Sequence, residues 1–355
     1  MQHPSNSPPA KLLHVLLPMA NTIIYHRCLA SSHYPPIRFE KGKRLLWNRI
    51  NAKTAVYRPE ESVRLQYVDY LTLQIGFSPN RIATETGVPG AMSRGRTDIL
   101  CYDKAFKPYL LVECKSENAR INQAAANQSG AYNQLIKAPY ILMTNGIQDA
   151  FFDVTNALKA MDTKQFPAPF KGKSFFVSYD SGYWIDRGFI HEYMNEETAS
   201  WLTSYNALLF QASDLTRGYL NLTFPEDYMP LNHHYVFLTS KRYPDALYAV
   251  SFVALFAEST WFVAICNRKG NNMGCLRIPI EEDATFGEPE LFRAGNSEME
   301  HPDINGLERI FLDDEITVLE ASGLYEKDEV ELSILEAQSL SERISDVLDT
   351  VFFSE

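Results

Sequence analysis

Three residues in the stretch 96–118, RTDILCYDKAFKPYLLVECKSEN, have types and spacing that could carry out metal-assisted hydrolysis: Asp98, Glu113 and Lys115. Side chains alternate faces along a strand. In YLLVECK, Leu110, Val112 and Cys114 therefore share one face, and Leu111, Glu113 and Lys115 share the other. The E-x-K spacing aims a carboxylate and an ammonium into one space at the strand's end. A hairpin with TDILCYD would set Asp98 beside Glu113. Two converging carboxylates repel unless a cation sits between them. Hard oxygen donors of this kind suit Mg²⁺ or Mn²⁺. A neighbouring lysine could orient a water or stabilise charge on a phosphoryl oxygen. The same residues also fit an edge strand with solvated charges, because D-x(14)-E-x-K alone is a weak signal. Cys114 faces the other way and reads as a buried thiol, not a nucleophile.

The elements that must position this set can be read from pattern. RPEESVRLQYVDYLTLQIG reads as a helix, with Pro59 at its first position, Glu60 and Glu61 in its first turn, and Gly76 at its end. RIATETGV, TDILCYD and YLLVECK read as strands. INQAAANQSGAYNQLIKA reads as a helix, and PYILMT and DAFFDV as two further strands around an NGI turn. This order predicts an α/β layout with one mixed sheet flanked by helices. Residues 37–58 show little clear period. Beyond about residue 160 the pattern turns α+β. SFFVSYD and YWI look strand-like, EETASWLTSYNALLFQAS is a helix, and four strands run from HHYVFLT to MGCLRIPI. An acidic amphipathic helix closes the sequence. The expected division is an irregular leader over 1–36, an α/β domain over 37–158 and an acidic α+β domain over 159–355.

Six blocks within residues 40–155 occur in an order that resembles the N-terminal nuclease module of type I restriction enzyme R subunits, within the PD-(D/E)xK superfamily. They are RPEESVR, IATETGV, GRTDILCYD, LLVECKS, QSGAYNQL and YILMTNG. The resemblance implies a restriction-endonuclease-like core and a Mg²⁺- or Mn²⁺-dependent endonuclease acting on DNA, of the kind used in restriction-modification and defence. It implies that Asp98 and Glu113, with the Cys114 backbone carbonyl and support from Glu61, hold the metal. Lys115 would position or activate the attacking water. Gln128 and Tyr132, four apart on one helix face, would border the site and align substrate. Arg64 follows the acidic position of the first helix and would contact nucleic acid. Glu85 is either a second acidic support or a strand-surface charge. Thr97 stands where the superfamily name has proline.

Charge supports a polyanion partner for one half only. Residues 37–150 hold 16 Lys+Arg and 10 Asp+Glu, whereas residues 151–355 hold 15 and 34. The basic part could meet DNA. Arg94 and Arg96, just before Asp98, and Lys104 and Lys107, in the hairpin loop, are the expected phosphate contacts. The acidic half is either a solubilising surface or a docking site for a protein partner. The alternative to catalysis is therefore a nuclease-fold binding or regulatory subunit. The five cysteines form no C-x-x-C pair, which argues against a disulfide scaffold or zinc ribbon and fits a cytoplasmic setting. KLLHVLLPMANTII resembles a short signal core, but His14 and Pro18 interrupt it. No apolar run reaches the roughly 18 residues that span a bilayer. PFKGKS places Pro167 where a Walker A loop needs its first glycine, so this sequence holds no such phosphate cradle.

Overall fold

The computed structural model describes residues 23–41, 43–87, 96–155, 158–173, 177–211, 215–222, 231–255, 257–267, 271–296, 298–312 and 327–353. Arg94 lies outside them. The chain folds as two compact units. One takes residues up to Cys28 together with Asn80–Lys171; the other takes Leu29–Pro79 and Gly172–Glu355. This grouping differs from the expected borders at 36/37 and 158/159.

The first unit is built on one sheet. Its strands are β1 (His26–Arg27), β5 (Ile82–Gly87), β6 (Arg96–Tyr102), β7 (Pro108–Cys114), β8 (Tyr140–Thr144), β9 (Gln148–Asp153) and β10 (Lys159–Ala160). The order is β1-β9-β8-β7-β6-β5, with β10 also on β9. Only β7 and β8 run parallel; the remaining pairs are antiparallel, so the sheet is mixed. A parallel pair needs a crossover, and helix α2 (Gln123–Ile136) supplies it. Asn122 caps the helix by accepting from the Ala125 N–H. At the other end Lys137 takes a left-handed conformation, and Asn133 exchanges two hydrogen bonds with the Ala138 backbone. The apolar layer beneath includes Leu111, Ala126, Ile141, Met143, Ala150 and Phe152.

Among its described residues, the second unit holds two sheets and five α-helices. The small sheet is β2 (Ile37–Glu40), β3 (Lys43–Asn48) and β4 (Lys53–Ala55), in the segment with little sequence period. The large antiparallel sheet runs in sequence order: β11 (Thr216–Leu222), β12 (Leu231–Thr239), β13 (Ala246–Leu255), β14 (Glu258–Asn267), β15 (Asn272–Ile280) and β16 (Glu290–Arg293). The helices are α1 (Pro59–Asp69), α3 (Ser181–Asp186), α4 (Glu196–Gln211), α5 (Asn305–Leu312) and α6 (Lys327–Phe353). A core containing Trp184, Phe210, Phe252, Trp261, Leu307 and Leu348 joins the later helices to the large sheet. None of the described helices is long and apolar enough to cross a membrane.

Two elements differ from expectation. Helix α1 is continued by a π-helical turn over Tyr70–Gln74, where the Thr72 hydroxyl donates back to the Val68 and Asp69 carbonyls. The YWI segment, expected as a strand, is helix α3. The Asp180 carboxylate accepts from the Tyr183 N–H and caps a helical turn, a local bond that outweighs the strand propensity of Tyr, Trp and Ile. SFFVSYD forms no strand in its described part, residues 177–180.

Candidate metal and nucleic-acid site

The site begins where β6 and β7 stop pairing. Their register runs from Cys101↔Leu110 to Ile99↔Val112. One step further, Asp98 stands opposite Glu113, but its side chain takes over the ladder: the Cys114 N–H donates to Asp98 Oδ2 at 2.8 Å. A charge-assisted bond to backbone holds this carboxylate between β6 and β7. Lys115 Nζ lies 2.7 Å from Glu113 Oε1, and the two side chains are 28% and 13% exposed. The pair is therefore reachable from solvent yet partly screened from it. The Lys115 N–H donates to the Thr144 carbonyl at 2.8 Å, which fixes the chain beyond β7 against β8. Asn145 secures the adjoining turn by accepting from the Ile147 and Gln148 N–H groups and donating to the Ala119 carbonyl.

On the other flank, Thr84 pairs with Ile99 and Thr86 with Thr97, so Glu85 stands level with Asp98. Glu85 has φ of 51°, a left-handed conformation costly for a non-glycine residue, and its side chain is exposed. Among the described residues no three His, Cys, Asp or Glu side chains gather closely enough to hold a metal ion. The carboxylates expected to act as donors in the first unit, Asp98 and Glu113, stand on the neighbouring strands β6 and β7. With the Cys114 carbonyl they would make a hard oxygen set. That chemistry fits Mg²⁺ or Mn²⁺, ions that keep several waters when held by one or two carboxylates. Each carboxylate has two oxygens, so the bonds to the Cys114 N–H and to Lys115 are compatible with ligation.

The other expected residues are placed as follows. Glu61 and Arg64 lie on α1, in the second unit. Arg64 is buried and pairs with Glu61 Oε2 at 2.5 Å, one helical turn away. Its guanidinium is thus committed within the helix, not displayed for phosphate. Gln128 Nε2 donates to Tyr132 Oη at 3.4 Å, the one polar side-chain contact either residue makes among the described residues. Arg96 is exposed at the start of β6, at the Asp98 end. Lys104 and Lys107 are exposed at the hairpin tip. Strands rise about 3.3 Å per residue, which puts that tip roughly 17–20 Å along β6 from Asp98. The hairpin that brings Asp98 to Glu113 necessarily sends its loop to the opposite end, so these two lysines do not flank the carboxylates.

One residue beside the motif was missed. Glu117, two positions past Lys115, has its carboxyl pushed up to about 7 by burial. The signal lay in ECKSEN itself, where a second glutamate follows the apolar strand. Between about pH 4.3 and 7 this carboxyl holds a proton in the fold that the unfolded chain has lost. Stability therefore falls as pH rises through that window. Glu117→Gln should flatten the fall and add of order 1 kcal/mol at pH 8, allowing for solvent screening of a part-buried group. Urea midpoints at pH 5 and pH 8 check this; an unchanged difference between them would assign the slope to another group.

The first unit is thus a mixed α/β sheet with an acidic end and one lysine beside it. Residues 59–167 match the family model described as the type I restriction enzyme R protein N terminus. This stretch is under half of the chain and runs from α1 through β10, so it covers the blocks that carried the resemblance except for Arg58, the first residue of RPEESVR. No curated protein and no solved structure matches the chain.

Proposed function

We propose that the chain is a metal-dependent nuclease that hydrolyses DNA phosphodiester bonds as an endonuclease. The family match suggests a nuclease-like role and DNA binding. The observation that carries the finer reading is the juxtaposition of Asp98, Glu113 and Lys115 at the ends of two adjacent strands. Asp98 and Glu113, with the Cys114 carbonyl, would hold a divalent cation. When bound, such an ion supplies Lewis acidity toward the phosphodiester and acidifies water. Lys115 then orients the attacking water or sits against the charge that develops on the phosphoryl oxygens. Exposed Arg96 offers a phosphate contact at the same end of the sheet, with no base readout. Gln128 and Tyr132 would align the backbone of the substrate. Target choice would come from DNA structure or from a protein partner, for which the acidic residues 151–355 are the candidate surface.

A plasmid assay tests this directly. Supercoiled DNA should be nicked and then linearised in Mg²⁺ or Mn²⁺ and left intact in EDTA. Cleavage that proceeds equally in EDTA would sink the metal-dependent reading. Raising salt should weaken DNA binding steeply, because phosphate contacts dominate.

A further inference from the structure

The tip of the β6–β7 hairpin holds an aromatic ring out in water. Phe106 is 65% exposed, and its backbone is left-handed, with φ of 57°. The Asp103 N–H donates to the Lys107 carbonyl at 2.9 Å, and the Phe106 N–H donates to the Asp103 carbonyl at 3.1 Å. These bonds close a three-residue loop, Lys104 to Phe106. Such a loop ends on one left-handed residue, and glycine is the usual choice there. For a bulky side chain that conformation is costly. The chain thus bears strain at Phe106 and gains no burial from it. The loop is nonetheless firmly built: Asp103 Oδ1 accepts from the Ala105 N–H at 2.8 Å and from the Lys107 N–H at 2.9 Å.

The charge around the ring is positive. Lys104 and Lys107 flank it within the loop, and both are exposed. Two further exposed lysines stand at this end of the sheet. Lys137 ends α2, just ahead of β8. Lys159 lies in the row Leu110–Tyr140–Asp153–Lys159, which crosses β7, β8, β9 and β10. With strands about 4.8 Å apart, that row runs roughly 14 Å across the sheet. None of these lysines forms an ion pair among the described residues. The acids at this end are Asp103 and Asp153, and both carboxylates accept from groups of their own turns.

We propose that this hairpin tip binds single-stranded DNA, with the Phe106 ring stacked on an unpaired base and Lys104 and Lys107 on the adjoining phosphates. Lys137 and Lys159 continue the cationic track. Every base has a π face, so the contact selects unpaired bases and not a sequence. A duplex keeps its bases stacked on one another and would meet the lysines alone. An acidic protein surface would also suit the lysines, but it gives no use to the exposed ring. The proposal rests on the reading that the first unit binds DNA, and not on cleavage. It gives the protein a hold on a strand well away from the carboxylate end of the sheet.

Fluorescence anisotropy tests it, with a labelled oligothymidylate and a duplex of equal length titrated with the full chain in EDTA. Phe106→Gly should weaken single-strand binding by about 5- to 100-fold, the size of one base–aromatic stack, and leave duplex binding unchanged. Glycine suits the left-handed backbone, so this variant should hold or raise Tm; a ring with a structural role alone would lose Tm and affinity together. Phe106→Trp should keep the affinity. The double variant Lys104→Gln/Lys107→Gln should lower the slope of log affinity against log salt by about 1.4, at about 0.7 per phosphate contact on a single strand, whereas Phe106→Gly should leave that slope as it is. Unchanged single-strand binding in Phe106→Gly overturns the proposal and leaves the DNA reading intact. An equal loss on single strand and duplex means that the ring does not meet an unpaired base, and overturns it too. A wild type that binds neither DNA overturns both readings.

Discussion

Lys115→Ala should lower metal-dependent plasmid nicking by roughly 100- to 1,000-fold, the usual cost of removing one preorganised charge from a hydrolytic site. The variant should remain folded. Lys115 is paired with Glu113 at a partly exposed position, where such pairs contribute about 1 kcal/mol or less. The effect on rate and the effect on stability thus differ in size, and that difference separates catalysis from structure. Asp98→Asn serves as the companion. It keeps the side-chain oxygen that accepts from the Cys114 N–H at 2.8 Å but removes the charge a cation needs. Its loss should be as large as that of Lys115→Ala, and excess Mn²⁺ should restore part of it. Activity surviving in both variants would mean a contaminant or a different active site. No activity in any protein, on supercoiled, linear and single-stranded DNA, would turn the reading to a nuclease-fold binding module.

The parts of this site that are legible in the sequence follow from the two-residue period of strands. That period sets Glu113 and Lys115 on one face, and a hairpin sets Asp98 beside them. The same geometry carries a further consequence, since the loop of a hairpin lies at the far end from its open termini. Proximity in sequence suggests Lys104 and Lys107 for the cleft, and strand length alone moves them away. Other features are hidden for local reasons. The turns of the β2–β3–β4 sheet use Lys41 and Ala52 in left-handed conformations, with φ of 51° and 52°. Gly42 and Asn51 stand next to these residues, so turn-type residues are present in the sequence but one position away from the left-handed backbone. The grouping of α1 is hidden for a non-local reason. Its last residue, Asp69, meets Arg187, 118 positions later, and no local pattern announces such a pair.

Asp69→Asn should destabilise the second unit by about 3–5 kcal/mol, the cost of leaving one member of a buried ion pair uncompensated. Asp69 is fully buried at the end of α1. Its Oδ1 lies 2.6 Å from Arg187 Nη2 and 3.4 Å from Arg49 Nη2. Its Oδ2 accepts from the Tyr183 hydroxyl at 3.2 Å and lies 3.4 Å from His33 Nδ1. Arg187 is itself buried, with its guanidinium 3.4 Å from the Tyr183 ring centroid. Asparagine preserves shape but leaves that guanidinium without its carboxylate. Urea unfolding followed by fluorescence reports the change, since buried Trp184 lies edge-on to Tyr183 and Tyr179. The double variant Asp69→Asn/Arg187→Met should recover part of the loss, because it removes the stranded charge as well. The pH dependence gives a second readout. Burial alone would raise the Asp69 pKa, but Arg187, the His33 hydrogen bond and Arg49 together outweigh it and hold the carboxyl below its ordinary value. Its contribution is therefore complete above about pH 4, the range of an unfolded aspartate, and is lost as pH falls from there through the lowered pKa. The wild type should lose stability on that acid limb, and Asp69→Asn should lose less. An equal acid limb in both proteins would mean that Asp69 is not the carboxylate on which the acid stability of this unit rests.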